Sequence, residues 1–208
     1  MAQSVIGAYG AWAASIVGDR PGALSFRNEA WTDVDAWRPK AVERLMACLA
    51  QPDTGGTPQA TVHRQFAYDG LHVEMLSWQL PYGPPTEAVF LKPEGATGRL
   101  PGVLALHDHA GKKYFGRRKI SRTAEAWHPL MLEHYAHYYG GVPWANEIAK
   151  QGYAVLIHDA FPFASRRVRL ADVPDRIREG LSDEDPDPVR INSTWRCRQR
   201  RLAGLIGG

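Results

Sequence analysis

The sequence predicts an α/β fold in which antiparallel strands lead into a parallel βαβ unit, with a helical arm in front. Three observations carry this. First, Val103 to Leu106 and Tyr153 to Ile157 are short apolar runs bounded by Pro101-Gly102 and Gly152. Runs of that length between turn signals read as buried strands. Second, Pro143 to Gln151 lies between them, with proline in a first turn and glycine just past the end, the usual asymmetry of a helix. Strand, long crossover, helix and strand make a right-handed parallel unit. Third, Val62 to Tyr68 and His72 to Leu80 alternate apolar and polar residues around Asp69-Gly70, a hairpin signal.

The elements follow in order. Residues 1–36 are rich in Gly, Trp and Asp, with a turn at Pro21-Gly22. They read as a loop-rich arm over the main body, anchored by Trp12, Phe26 and Trp31. Asp33 or Asp35 can cap a helix from Trp37 to Ala50, with Pro39 in its first turn. Its apolar stripe of Val42, Leu45, Met46 and Leu49 has helical spacing and reads as packing. Gln51 to Pro58 is a loop and a boundary, dividing an arm at 1–58 from a sheet domain at 59–208. After the hairpin, Thr86 to Lys92 is a third strand. Arg118 to Tyr139 reads as helical and aromatic, forming either a pocket wall or lid, or ordinary packing by Tyr135, Tyr138 and Tyr139. Ser182 to Pro188 is an acidic loop, and Val189 to Leu205 reads as a basic helix.

Composition bounds the function. A chain of 208 residues holds one domain with a sizeable core and a small extra subdomain. Hydrophobic content of 44% and charged content of 23% place it among ordinary globular proteins. A net charge of +3 demands neither nucleic acid nor membrane. The basic runs Arg117 to Lys119, Arg166 to Arg169 and Arg196 to Arg201 read as solvated faces. Cys48 and Cys197 make no disulfide framework, which favours a reducing compartment. The N-terminus has no Lys or Arg before its apolar part, and Gly7, Gly10 and Ser15 interrupt that part. It reads as neither signal peptide nor membrane span, so the expected location is cytoplasmic.

The chemistry concentrates after Leu106, in His107-Asp108-His109-Ala110-Gly111. Ligands in open α/β sheets sit at the carboxyl ends of strands. Residues i and i+2 of a strand share a face, so His107 and His109 can hold one metal ion, with His158 and Asp159 or His134 and His137 as further ligands. The plainer reading makes His107 a buried, hydrogen-bonded side chain and His109 a loop-shaping residue. A third reading uses the backbone: a loop after a strand can aim N–H groups at a developing oxyanion, and Gly111 allows a tight turn beside a substrate.

The run YGPPTEAVFLKPEG, then PGVLALHDH, LALHDHAGKKYFG and GYAVLIHDAFPF, resembles a known pattern. From Val62 to Arg167 the chain resembles the N-terminal half of an α/β-hydrolase, in the branch of dienelactone hydrolases and acetyl xylan esterases. The resemblance implies a partial α/β-hydrolase sheet and a serine hydrolase of carboxylic esters that needs no cofactor. The backbone N–H of His109, with Asp108 or Ala110 beside it, would line the oxyanion hole, and His107 would support the loop. Arg166 or Arg167 would meet an acidic substrate group, with Tyr114 also on the substrate side. The substrate class is a small-molecule or carbohydrate ester.

One part of that pattern is missing. The reaction needs a nucleophile on a G-x-S-x-G or G-x-C-x-G elbow, and the sequence contains neither. Gly180-Leu181-Ser182 runs into Asp183-Glu184 without a preceding apolar strand, and Cys197 lies among arginines. The elbow strand would follow where this sequence ends, so the expectation is a chain inactive alone and either poorly stable or completed by another chain or oligomer. The Tyr153 to Ile157 strand would then be an unprotected edge with apolar surface uncovered. The alternatives are a metal-dependent hydrolase using His107 and His109, and a non-catalytic remnant or binding scaffold.

Overall fold

The computed structural model describes residues 5–178 and 180–183, in two units, Met1–Asp53 and Thr54–Gly208. The predicted helix Val189 to Leu205, Cys197, the Arg196 to Arg201 run and most of the acidic loop lie outside the described residues.

In the first unit, α1 spans Gly10–Val17 and α2 spans Val34–Cys48. The second helix starts earlier than its apolar pattern because Asp33 caps it, its Oδ1 accepting from the Asp35 N–H at 2.9 Å. Pro39 therefore sits inside the helix and not in its first turn. The loop before α2 is tied down by aromatics. Trp31 Nε1 donates to Ala23 O at 2.6 Å, Trp37 Nε1 donates to Leu24 O at 2.8 Å, and the rings of Phe26 and Trp37 meet at a tilt, 5.3 Å between centres. Trp12, expected as an anchor, is exposed. The stripe of Val42, Leu45, Met46 and Leu49, expected to pack, is left uncovered by its own unit. The reason is rotational: the loop packs on the Trp37 and Ala41 side of the helix, one turn apart.

The second unit is a mixed sheet of five strands: β1 Thr61–Tyr68, β2 Leu71–Trp78, β3 Thr86–Pro93, β4 Gly102–Ala105 and β5 Ala154–His158. Their order is β1-β2-β3-β5-β4, antiparallel throughout except for the parallel pair β4 and β5. The predicted antiparallel front and parallel pair are both present, and the class is α/β. Asp69 and Gly70 both have positive φ, 54° and 74°, as a two-residue hairpin with the right twist requires. Tyr68 accordingly pairs with Leu71.

The edge differs from expectation. The run Tyr153 to Ile157 was to be left unprotected, but β5 inserts between β3 and β4. The chain doubles back over the crossover, so the short strand β4 is the edge, with Leu104 exposed. Strand alternation sorts the two faces. Leu71, Val73, Val89, Leu91, Val155 and Ile157 face one way and are buried against Ile120, Ala145 and Ala149. The last two lie on α4, Trp144–Lys150, whose small residues let it approach the sheet closely. The other face carries Val62, Leu76, Trp78, Phe90 and Leu156 around an open apolar groove of about 440 Å³.

The segment from Gly116 to Tyr139 is not one helix. A 3-10 turn at Gly116–Lys119 is followed by an extended loop and then α3, Pro129–Tyr138. Pro129 forces the late start, and His128 caps it, Nδ1 accepting from the Leu130 N–H at 3.2 Å. Its inner side is core rather than lid: Phe115, Met131 and Tyr135 are buried together. The Tyr135 hydroxyl lies 2.7 Å from Arg118 O and 2.8 Å from Ser121 O, and accepts from Trp127 Nε1 at 2.9 Å. Of the other two tyrosines, Tyr138 is exposed and Tyr139 half-buried.

Ile157 is fully buried at the centre of the covered face. Ile157→Ala should therefore lower unfolding free energy by about 2–5 kcal/mol, read as a fall in the urea midpoint with an unchanged slope.

Candidate active site

Strands β4 and β5 run parallel, so their carboxyl ends lie side by side and send two loops out together. One is His107 to Gly111, the other Asp159 to Ser165. His107 joins them. Its Nε2 accepts the Ala160 N–H at 3.1 Å, so the ring proton sits on Nδ1, which is 3.0 Å from Asp108 O and donates to it. Burial, the largest influence, holds the His107 pKa below its ordinary value.

This geometry answers the metal reading of the H-x-H pair. The strand ends at Ala105, before the pair, so strand alternation does not align the two side chains. Both ring nitrogens of His107 are engaged within the chain. The His107 and His109 rings instead meet the edge or face of Phe163, at 4.8 and 5.5 Å. The further candidate ligands are also occupied. His134, His158 and Asp159 hydrogen-bond within the chain, and His137 packs on Tyr138 at 4.4 Å. Among the described residues no group of three or more His, Cys, Asp or Glu side chains is arranged to hold a metal.

Asp108 is held by α3. Its Oδ2 accepts from Tyr139 Oη at 2.7 Å and from His134 Nε2 at 3.0 Å. Burial pushes the Asp108 pKa up, but those two hydrogen bonds and the nearby Lys119 charge outweigh it, and the net shift is downward. His134 is fully buried, and burial depresses its pKa against the pull of Asp108. We read it as neutral, donating from Nε2.

Lys119 grips the same loop from below. Its ammonium donates to Asp108 O at 2.7 Å and His109 O at 3.0 Å, and sits 4.2 Å from the centre of the Phe163 ring. Both peptides are trans. A planar trans peptide points its N–H opposite to its C=O. The N–H groups of His109 and Ala110 are thus turned away from Lys119, and neither donates within the described residues. Ala110 and Gly111 both have positive φ, 22° and 68°. That conformation is natural for Gly111 and strained for Ala110.

Underneath lies a buried carboxylate, Asp159. It accepts from the Arg117 N–H at 2.7 Å, the Arg117 guanidinium at 2.5 Å, and the Ser165 N–H and Oγ at 3.2 and 2.8 Å. Arg117 also reaches Glu87 at 2.6 Å. Gly116 has φ 48°, and a Cβ there would lie 2.2 Å from Asp159 Oδ1 and 2.6 Å from the Ala164 Cβ. Only glycine fits.

The predicted substrate arginines are engaged elsewhere. Arg166 is buried, donates to Pro84 O at 3.0 Å and lies 5.4 Å from the Tyr82 ring centre; it secures the turn between β2 and β3. Arg167 donates to Ala164 O at 2.9 Å and lies 5.2 Å from the Tyr114 ring centre. Tyr114 itself packs with Leu170 and Leu181. The basic runs expected on solvated faces are therefore partly internal: Arg117, Lys119 and Arg166 are all buried. Part of the signal in sequence was the aromatic interleaving of FPF with the basic runs, since Lys119 packs on the Phe163 ring.

No protein-family model matches the chain, and no curated protein does. Among solved structures, the chain is similar to a Bacteroides fragilis protein provisionally named an acetyl xylan esterase, with 15% identity and a TM-score of 0.49. The match covers 99% of this chain and 51% of that one, so the chain spans about half the length of that structure.

Asp159→Ala leaves the buried Arg117 without its main partner and should cost about 3–5 kcal/mol of stability, measured by urea unfolding. His107 and His134 have folded pKa values below the ordinary 6.5, so the unfolded chain binds protons that the native chain refuses. Asp108, depressed below 3.8, acts in the same direction at lower pH. The stability these three groups contribute should therefore be fully present above pH 6.5 and fall steadily below it. Urea midpoints measured across that range should decline on the acid side, and less steeply in His134→Gln if that variant keeps the bond to Asp108.

Proposed function

We propose that the His107 to Gly111 loop is the oxyanion-stabilising wall of a carboxylic-ester hydrolase of the serine α/β-hydrolase type. The observation that carries this reading is the pair of adjacent N–H groups, His109 and Ala110, turned away from the Lys119 ammonium at the carboxyl ends of two parallel strands. When a serine attacks an ester carbonyl, negative charge develops on the carbonyl oxygen. Two preorganised N–H donors stabilise that charge more than they stabilise the ground state. Rigid donors cost no reorganisation during the reaction, and this loop is held at Asp108 and from below by Lys119.

The 208-residue sequence has no nucleophile elbow. In this reading the serine, its histidine and the orienting carboxylate come from outside it, through further sequence or another chain. The acyl-enzyme forms on that serine, and the histidine passes its proton to the departing alcohol. The substrate class is a small-molecule or carbohydrate ester, in the interior of the cell. Arg166 and Arg167 have no role in this scheme, because their guanidinium groups serve the chain's own carbonyls.

The expected outcome is that pure 208-residue protein hydrolyses p-nitrophenyl acetate no faster than buffer. A segment or second chain that carries an apolar strand followed by G-x-S-x-G should confer activity when combined with this one. Hydrolysis by the chain alone, together with a stoichiometric metal lost in His107→Ala, would instead establish the metal-dependent reading.

A further inference from the structure

We infer that Lys119 is the positioning residue of this site: its ammonium sets the direction in which the His109 and Ala110 N–H groups point. The functional meaning rests on the ester-hydrolase reading, whereas the clamp itself is a property of this chain.

The geometry favours orientation over mere filling of space. One ammonium holds two consecutive carbonyls, at 2.7 and 3.0 Å. Two adjacent peptides are thereby fixed at once, and with them both N–H vectors. A single contact would leave one peptide free to rotate about its flanking dihedrals. The Asp108 carboxylate, whose Oδ1 lies 3.7 Å from Nζ, offsets the buried charge. On its other side the ammonium lies against the Phe163 ring, which also receives the His107 and His109 rings.

The lysine is itself anchored. It ends the 3-10 turn Gly116–Lys119, and the Arg117 backbone N–H and guanidinium of that turn are bound to Asp159 beyond β5. Lys119 thus reaches from a rigid base into the loop. Opposing it, Ala110 sits at a φ of 22°, a conformation that alanine leaves when nothing enforces it. An apolar residue of the same length would fill the volume but would leave both carbonyls unpaired.

The charged and titratable groups facing this ammonium are Asp108 on the loop, Lys112 and Lys113 after it, His107 at its start and His134 on α3. Burial, the largest influence, lowers the Lys119 pKa to about 8. Raising pH through that value removes the charge that grips the carbonyls. Because the unfolded lysine titrates near 10.5, global stability does not fall with this step. Loosening of the loop and unfolding of the protein are thus separable by pH.

The test is nuclear magnetic resonance on the labelled 208-residue chain. In Lys119→Met, the backbone order parameters of His109 and Ala110 should fall from about 0.85 to below about 0.6, while Val155 and Ile157 keep theirs. Lys119→Arg should restore them in part. In the wild type, the carbonyl carbons of Asp108 and His109 should shift together with the Lys119 side chain near pH 8; this arm needs no variant and holds even if Lys119→Met fails to fold. Unchanged order parameters in a folded Lys119→Met, or carbonyls that ignore the lysine titration, would overturn the inference. Sodium acetate then separates the two readings. If acetate leaves the His109 and Ala110 amide shifts untouched while the clamp results hold, the positioning role stands and the oxyanion role fails. If acetate moves them equally in wild type and a folded Lys119→Met of unchanged rigidity, the positioning role fails and the oxyanion role stands.

Discussion

The carboxyl end of the sheet depends on one buried carboxylate. Asp159 follows directly on β5 and accepts hydrogen bonds from four groups of two separate segments, the Arg117 N–H and guanidinium and the Ser165 N–H and hydroxyl. A buried charge is tolerable only when it is paired and its lone pairs are satisfied, and here both conditions hold. The same guanidinium crosses to Glu87 at the start of β3. Two strands, β3 and β5, and the segments of Arg117 and Ser165 are thus tied through one ion pair and its neighbours. The close approach leaves no room for a side chain at Gly116, so a backbone requirement and an electrostatic one coincide.

Beside this base sits a second pair of charges. Lys119 and Asp108 do not form a tight ion pair, their nearest separation being 3.7 Å. Each spends its hydrogen bonds on something else, the lysine on backbone carbonyls and the aspartate on His134 and Tyr139. The result is a strained loop held on two sides by groups whose charge depends on pH. A site of preorganised backbone donors needs that rigidity, because donors that must reorient during the reaction stabilise charge poorly.

The sheet itself is asymmetric. One face is closed by α4 through Ala145 and Ala149, and the other presents Val62, Leu76, Trp78, Phe90 and Leu156 around a groove. Apolar surface of this kind raises the free energy of a chain that leaves it in water. The ion-pair base and the covered face therefore carry the stability of the described residues.

The sequence by itself determined the local architecture. The apolar runs, the alternation around Asp69-Gly70, and the Pro143 and Gly152 punctuation were enough for five strands and the crossover helix, because period and turn chemistry are local properties. They also pointed to the HDHAG stretch, since polar residues crowded after an apolar run mark a strand end. Tertiary structure alone decided the rest. Which strand became the edge depended on β5 inserting between β3 and β4, a choice no single strand encodes. The helix expected over Arg118 to Tyr139 was broken by Pro129, by the Arg117 N–H donating to the Asp159 carboxylate and by the Tyr135 hydroxyl donating to the Arg118 carbonyl. The fates of the basic residues were equally non-local. Arg117, Lys119 and Arg166 read as solvated, yet each is internal because a carboxylate, a pair of carbonyls or a turn lies where the chain returns. A charge shows its sign in sequence, and only the fold supplies the partner that lets it be buried.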